Sequence, residues 1–451
     1  MKSVALHTLG CKLNFAETSS IGRQFRERGF AIVDASEPSD VFVLNTCSVT
    51  ERADRECRQL VRRVRRNSPE TYVIVVGCYA QLQPETIASI PGVDLVLGTK
   101  EKFNLFDYTN TARKETMARI HVSPVADMVS FEKSSSIGSS DRTRAFLKIQ
   151  DGCDFNCSFC TIPIARGSSR SLPVGEIASQ VVEAVELGYK EIVLTGVNVG
   201  DYGKKIHTNL LSLLKRIVEV DGLERVRISS IEPNLLSDEL LDFWLSERKL
   251  CKHFHIPLQS GSDTILGAMR RRYLTGAYAS RLDRIKRSRS DAGIGADVLV
   301  GFPGETDALF GQTMELIREM PLSYVHVFTY SERPDTDAIR HPGRVEPRVR
   351  AERSEQLRML GMRKRRVFNE SFIGKKESVL FEHKEKSGWW SGLTEQYVRV
   401  QSQSVLPLTN QILTVDIMSA NDDCAFGSCE TANELENLST SDAVLVRTEP
   451  K

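Results

Sequence analysis

The chain has 451 residues, 41% hydrophobic and 26% charged, enough for two or three globular domains. Lysine plus arginine (60) balances aspartate plus glutamate (59), which excludes a uniformly basic or acidic chain. No apolar run approaches the ~20 residues of a membrane helix, and Met1 to Leu6 open into a strand pattern rather than a leader, so a cytoplasmic protein with no membrane contact is expected.

Residues 1–120 alternate strands and helices. Val4–Leu9 is a short apolar strand. A helical pattern runs from Glu17 to Arg28 and stops at Gly29, and Val41–Leu44 and Tyr72–Val76 are two further strands. That alternation implies a parallel sheet with helices on its faces. Between the last two strands, Ser48 and Glu51 form a capping box, and Ala53, Cys57, Leu60, Val61 and Val64 make one apolar helical stripe. Seven arginines between Arg52 and Arg66 fill the opposite face. With Arg270–Arg272, Arg281–Arg289 and Arg340–Arg366 they form local basic clusters, suited to a polyanion or to ordinary solvated helix faces.

Residues 121–142 are serine-rich and weakly patterned, which predicts a linker. A second α/β unit follows over 143–370. Its six strand candidates are Ala145–Gln150, Glu191–Thr195, Val226–Ser230, His253–Leu258, Ala296–Val300 and Tyr324–Thr329, most of them separated by helical patterns. A sixfold βα repeat predicts a barrel or part of one. Residues 371–435 read as a small β domain, with strands at Glu377–Phe381, Tyr397–Gln401 and Ile412–Met418. From about Asn421 the chain is polar and is expected to be disordered, and 436–451 form a tail.

Ten cysteines in a reducing compartment point to metal or redox chemistry rather than to disulfides. Cys153, Cys157 and Cys160 sit at C-x3-C-x2-C spacing directly after the first strand of the second unit. Three thiolates on one loop suit a 4Fe–4S cube with one iron left open, as chemistry at a metal requires. Cys11, Cys47 and Cys78 are far apart in sequence, yet each follows a strand of the first unit. In a parallel sheet such loops gather on one edge, so these thiols can converge on a second 4Fe–4S cluster. Cys57 and Cys251 read as core, and Cys424 and Cys429 as a pair too small to define a metal site. His253 and His255 lie on one side of a strand, which suits a hydrogen-bonded interior pair or, alternatively, a zinc site.

The loop Cys153-Asp154-Phe155-Asn156-Cys157-Ser158-Phe159-Cys160, with an aromatic before its last cysteine, resembles the radical S-adenosylmethionine superfamily. The resemblance implies that S-adenosylmethionine chelates the open iron and is cleaved to a 5′-deoxyadenosyl radical. It also implies cofactor contacts from the strand-end residues Asn198, Ser230, Glu232, Gln259 and Asp297. A three-cysteine α/β domain, then this barrel, then a β module is the layout of the methylthiotransferase family. The segment Ser391 to Val400 looks like the RNA-binding TRAM module, in which Trp389, Trp390 and Tyr397 either stack on bases or form the domain's core, and Arg399 meets phosphate.

The family has branches acting on N6-isopentenyladenosine in tRNA, on N6-threonylcarbamoyladenosine in tRNA, and on a ribosomal-protein aspartate. The stretch Gly10-Cys11-Lys12-Leu13-Asn14, followed by Glu17-Thr18, resembles the threonylcarbamoyladenosine branch; Phe15-Ala16 departs from its commoner Gln-Tyr. This likeness implies methylthio transfer to carbon 2 of that base in the tRNA anticodon stem-loop. The six cysteines would be catalytic, and an external electron donor and a sulfur source would be required. A non-catalytic iron–sulfur RNA-binding protein is the rival from another class.

Overall fold

The computed structural model describes residues 2–47, 51–109, 114, 116–128, 130–138 and 143–429. Ser48 of the expected capping box and the tail 436–451 lie outside the described residues. Six strands form one all-parallel sheet: β1 (Ser3–Thr8), β2 (Ala31–Val33), β3 (Val41–Thr46), β4 (Tyr72–Gly77), β5 (Leu95–Leu97) and β6 (Arg119–His121), in the order β2-β1-β3-β4-β5-β6. The central strands β3 and β4 are buried along their whole length, as a parallel sheet covered on both faces requires. Helices α1 (Lys12–Glu27) and α2 (Glu51–Asn67) flank it. The α2 stripe packs inward as its periodicity predicts, with Cys57 and Val61 fully buried.

The second unit begins with β7 (Arg144–Lys148) and a short ribbon of β8 (Gln150–Asp151) and β9 (Arg170–Ser171), which pinches the base of the Cys153–Cys160 loop. Then come β10 (Glu191–Thr195), β11 (Arg225–Ile228), β12 (His253–His255), β13 (Gly293–Val300) and β14 (Tyr324–Thr329). The parallel sets β11-β10-β7 and β12-β13-β14 are stitched together by backbone bonds, Cys251 N–H to Val226 O at 2.9 Å and Ile231 N–H to His255 O at 3.0 Å. The result is a six-stranded partial barrel built on all six expected strands. Apolar side chains of these strands and the surrounding helices form the largest core.

After a 24-residue helix (Pro347–Glu370), the chain closes a five-stranded barrel of β15 (Lys376–Lys384), β16 (Trp390–Thr394), β17 (Arg399–Ser402), β18 (Ile412–Ala420) and β19 (Ala425–Cys429). β19 corrects the expectation of disorder from Asn421: it is hydrogen-bonded between β17 and β18.

Both outer domains lock onto the partial barrel. The small barrel plugs its bottom, where the strands begin. Arg225 and Arg227, on β11, donate to the carbonyls of Ser378, Leu393, Thr394 and Glu395, and Arg144, first in β7, pairs with Glu382 at 2.8 Å. Tyr397 stacks on His253, the first residue of β12, with ring centroids 4.5 Å apart. Gly293 begins β13, and a Cβ there would fall 2.0 Å from the Gln396 carbonyl oxygen, so any side chain would push the two barrels apart. On the flank, Phe15 of α1 meets Phe146 edge-on at 5.5 Å, and Arg23 donates to the Ile137 carbonyl at 2.7 Å. The serine-rich connection is thereby built in: Ser134, Ser135, Ser136 and Ile137 are all buried, and Ser135 bridges to Leu147.

A cluster of five buried charges joins the two α/β units. Glu17 accepts from Lys102 (2.6 Å) and Arg166 (2.9 Å) and lies 3.6 Å from Lys148, while Asp151 meets Arg166 at 3.0 Å and Lys148 at 3.2 Å. Burial raises the Glu17 carboxyl, but Arg166, Lys102 and Lys148 outweigh it and hold the group below its usual 4.5. A depressed carboxylate stabilises the fold fully above the unfolded value and loses that contribution as pH falls below it. Glu17→Gln is expected to cost about 3–5 kcal/mol in chemical denaturation near neutral pH, because it leaves buried cations unpaired. The variant's stability should also fall less steeply than wild type below pH 4.5.

Candidate functional site

The two cysteine trios lie at strand C-termini, as parallel topology dictates. Cys11, Cys47 and Cys78 follow β1, β3 and β4, three adjacent strands of the sheet. The register pairs Thr8 with Asn45 and Thr46 with Gly77, so the thiol-bearing loops emerge side by side. Gly10 has φ +104°, and a Cβ on it would lie 2.6 Å from the Cys47 Cβ, so only glycine lets the first loop close against the second. Cys11 is also the N-cap of α1.

Cys153, Cys157 and Cys160 occupy the loop above β7. Cys153 N–H bonds the Gly167 carbonyl (3.0 Å) and Cys160 N–H the Cys157 carbonyl (3.1 Å), which folds the loop tightly. Backbone N–H groups of Phe155 and Ile162 donate to the sulfurs of Cys153 and Cys160 at 3.4 Å. Burial pushes the Cys153 thiol up to about 11 and the Cys160 thiol up to about 12. Proton loss at these sulfurs therefore needs a bound metal, which displaces thiol protons as it binds.

Two arginines serve the trios, and sequence reasoning identified neither role. Arg166 lies six residues after Cys160 on the short helix Ile162–Arg166, yet its Nε donates to the Cys78 sulfur at 3.2 Å in the other trio. Its remaining nitrogens donate to Glu17, Asp151 and to Asn14 Oδ1 (2.7 Å). Arg271 donates to the Cys157 sulfur at 3.2 Å and to Glu232. Its place in a basic run suggests a solvated face, but its side chain is only 4% exposed. Other basic clusters also turn inward: Arg350 pairs with Glu332, and Arg353 with Glu305 and Asp307. A basic residue closing the apolar run Ile162-Pro163-Ile164-Ala165 was the one sequence cue to Arg166.

The remaining site residues separate into two groups. Gln259 and Asp297 line a cavity of about 190 Å³ beside Cys160, with Phe159, Leu299, Phe328 and Tyr330. Burial raises the Asp297 carboxyl, but hydrogen bonds from His255 (3.1 Å) and His326 (3.2 Å) hold it well below the carboxylate range. Outside that lining, Ser230 bonds His255 Nδ1 at 2.5 Å, Glu232 meets Arg271, and Asn198 is buried after β10. Both side-chain polar atoms of Asn198 and the Tyr330 hydroxyl are buried with no protein partner. Such orphaned groups on the barrel's open rim fit a polar small molecule. Iron–sulfur ligation fits equally well: each trio offers three sulfurs, and a basic group touches one sulfur in each.

The other cysteines and aromatics have structural work. Cys57 and Cys251 are fully buried in the core. Cys424 immediately precedes β19 and Cys429 ends it, too far apart along an extended strand to share a metal. Trp390 is in the small barrel's core and Tyr397 faces the central barrel, so neither is an open stacking platform. Trp389 meets Phe426 edge-on, and Arg399 donates to Ser391.

Comparison with known proteins agrees with this architecture. Residues 3–98 match the model of uncharacterized protein family UPF0004, and residues 147–317 match the radical SAM superfamily. The chain is 38% identical to threonylcarbamoyladenosine tRNA methylthiotransferase MtaB of Bacillus subtilis, over 93% of this chain and 94% of that one. It is 34% identical to a tRNA-2-methylthio-N(6)-dimethylallyladenosine synthase of Syntrophotalea carbinolica, over 86% and 90%. Among solved structures, the radical S-adenosylmethionine methyltransferase TsrM of Kitasatospora setae shares the fold, with a TM-score of 0.57 at 14% identity over 75% of each chain. With both domain models matched and this degree of identity to MtaB along nearly the whole length, the chain belongs to the MtaB-like radical SAM methylthiotransferases.

Proposed function

We propose that this chain adds a methylthio group to carbon 2 of N6-threonylcarbamoyladenosine, on the 3′ side of the anticodon in a tRNA stem-loop. The observation that carries the reading is the pairing of the trios: one guanidinium, Arg166, ends the short helix that follows the second trio's loop and touches a sulfur of the first. Carbon 2 of adenine carries an unactivated hydrogen with no acidity for a base to exploit, so two centres must act on one base. Cys153, Cys157 and Cys160 would hold one 4Fe–4S cluster, and Cys11, Cys47 and Cys78 the other. When bound, the former would supply one-electron chemistry able to break that C–H bond, and the latter would hold the sulfur for delivery.

The protein's own residues bind, orient and shield. Arg271, anchored by Glu232, donates to Cys157 and fixes the loop whose three cysteines would hold the cluster. Gln259, Asp297, Asn198, Ser230 and Glu232 offer acceptors and donors for the amino, carboxylate and ribose groups of S-adenosylmethionine. Phe159, Leu299 and Phe328 line the cavity that holds Gln259 and Asp297, and exclude water and stray hydrogen donors. Electrons come from an external donor and sulfur from a separate source. The work is cytoplasmic, where tRNA is found, and no helix among the described residues is long and apolar enough to cross a membrane.

The lysine-bearing context at Cys11 and the likeness to the Bacillus subtilis relative favour threonylcarbamoyladenosine over the isopentenyl (dimethylallyl) base. Mass spectrometry of tRNA nucleosides from cells with and without the gene tests this directly. Deletion should remove the methylthio form of threonylcarbamoyladenosine and accumulate its precursor. Loss of the methylthio form of isopentenyladenosine instead would move the chain to the other tRNA branch, and an unchanged nucleoside profile would move it off tRNA.

Helix α2 offers the open basic face: Arg55, Arg62, Arg63, Arg65 and Arg66 are all exposed. Replacing Arg62, Arg63, Arg65 and Arg66 together by glutamine should weaken tRNA binding at least tenfold at low salt. It should also flatten the plot of log Kd against log salt by about 2–3 in slope, if most of the four meet phosphates.

A further inference from the structure

Lys12 is the first residue of α1 and directly follows Cys11. A cation there opposes the helix macrodipole, and the first turn holds no acidic residue to offset it. Helix stability therefore does not account for it. Its ammonium lies 5.5 Å from the centroid of the Tyr397 ring, and the Arg227 guanidinium lies 5.1 Å from the same ring. Tyr397 in turn stacks on His253 at the floor of the partial barrel, so Lys12 projects from the rim of the first trio into the barrel's interior.

Among the described residues, no carboxylate lies within ion-pair distance of Lys12. The interior carboxylates are already engaged. Glu191 holds Arg227 through two bonds of 2.7 and 3.1 Å and lies 3.8 Å from Arg144. Asp297 holds His255 and His326, and Glu232 holds Arg271. The Tyr397 hydroxyl also makes no hydrogen bond among the described residues. The interior is thus left with an unmatched cation and a free hydroxyl donor, both on the barrel side of Cys11. A half-buried cation without a counter-anion is a site for an anion that arrives with the substrate.

We infer that the Lys12 ammonium and the Tyr397 hydroxyl form the subsite for the carboxylate of the substrate's N6 substituent. This rests on the threonylcarbamoyl reading: that substituent carries one carboxylate, whereas an isopentenyl group or plain adenosine carries none. Recognition by a buried charged pair discriminates strongly, because an analogue without the carboxylate leaves Lys12 unpaired.

The test uses the anaerobically reconstituted full chain and two anticodon stem-loop RNAs, one with threonylcarbamoyladenosine and one with adenosine at the target position. Wild type is expected to bind the modified RNA about tenfold more tightly. Lys12→Met should bring that ratio close to one, and Lys12→Arg should keep most of it. Iron is counted in each variant, and Lys12→Gln replaces Lys12→Met if the latter loses iron. A neutral variant that retains the wild-type ratio overturns the assignment. So does one that weakens both RNAs equally, since that marks Lys12 as a phosphate contact. Wild-type protein that binds both RNAs alike overturns the threonylcarbamoyl reading itself.

Discussion

A single buried guanidinium holds the two halves of this protein in working relation. Arg166 bonds Glu17 and Asn14 of one α/β unit, Asp151 of the other, and the sulfur of Cys78. An isolated arginine in a dry interior costs several kcal/mol, so the site exists only because every donor direction is met. Lys102 and Lys148 bring the cluster to three cations against two carboxylates, Glu17 and Asp151. The surplus positive charge points at sulfur. Such a cluster is poorly balanced beside a neutral thiol and well balanced beside an anionic, metal-bound one.

The remaining architecture turns that junction into an enclosed site. Parallel topology sends the four loops that carry the six cysteines to strand C-termini. The small barrel closes the opposite end, with Tyr397 as its stopper against His253. An RNA base must therefore enter from the side of the cysteine loops. The C-terminal module thus acts partly as a structural plug, and the rings of Trp390 and Tyr397 are spent on packing rather than left open for stacking.

Much of this was legible in the sequence. All six strands of the partial barrel showed as apolar runs, and both cysteine trios were visible from spacing or from position after strands. What escaped shares one cause, dependence on partners distant in the chain. Helix α1 starts at Lys12 rather than Glu17 because buried Asn14 and Glu17 interrupt the apolar pattern, and both are polar in order to meet Arg166, Glu17 from 149 residues away. β19, with a glycine at its centre and little β-branching, is a strand only because β17 and β18 flank it. Arg271, Arg350 and Arg353 look like surface charge in sequence, yet each turns inward to a carboxylate.

Methylthio transfer by this chain requires that both trios carry a cluster. Iron and acid-labile sulfide should be counted after anaerobic reconstitution, in wild type and in the Cys11→Ala, Cys47→Ala, Cys78→Ala triple variant. About eight irons per wild-type chain, falling to about four in the variant, is the predicted result. About four irons in both would contradict it, leaving the first trio and its arginine without the metal that their geometry fits.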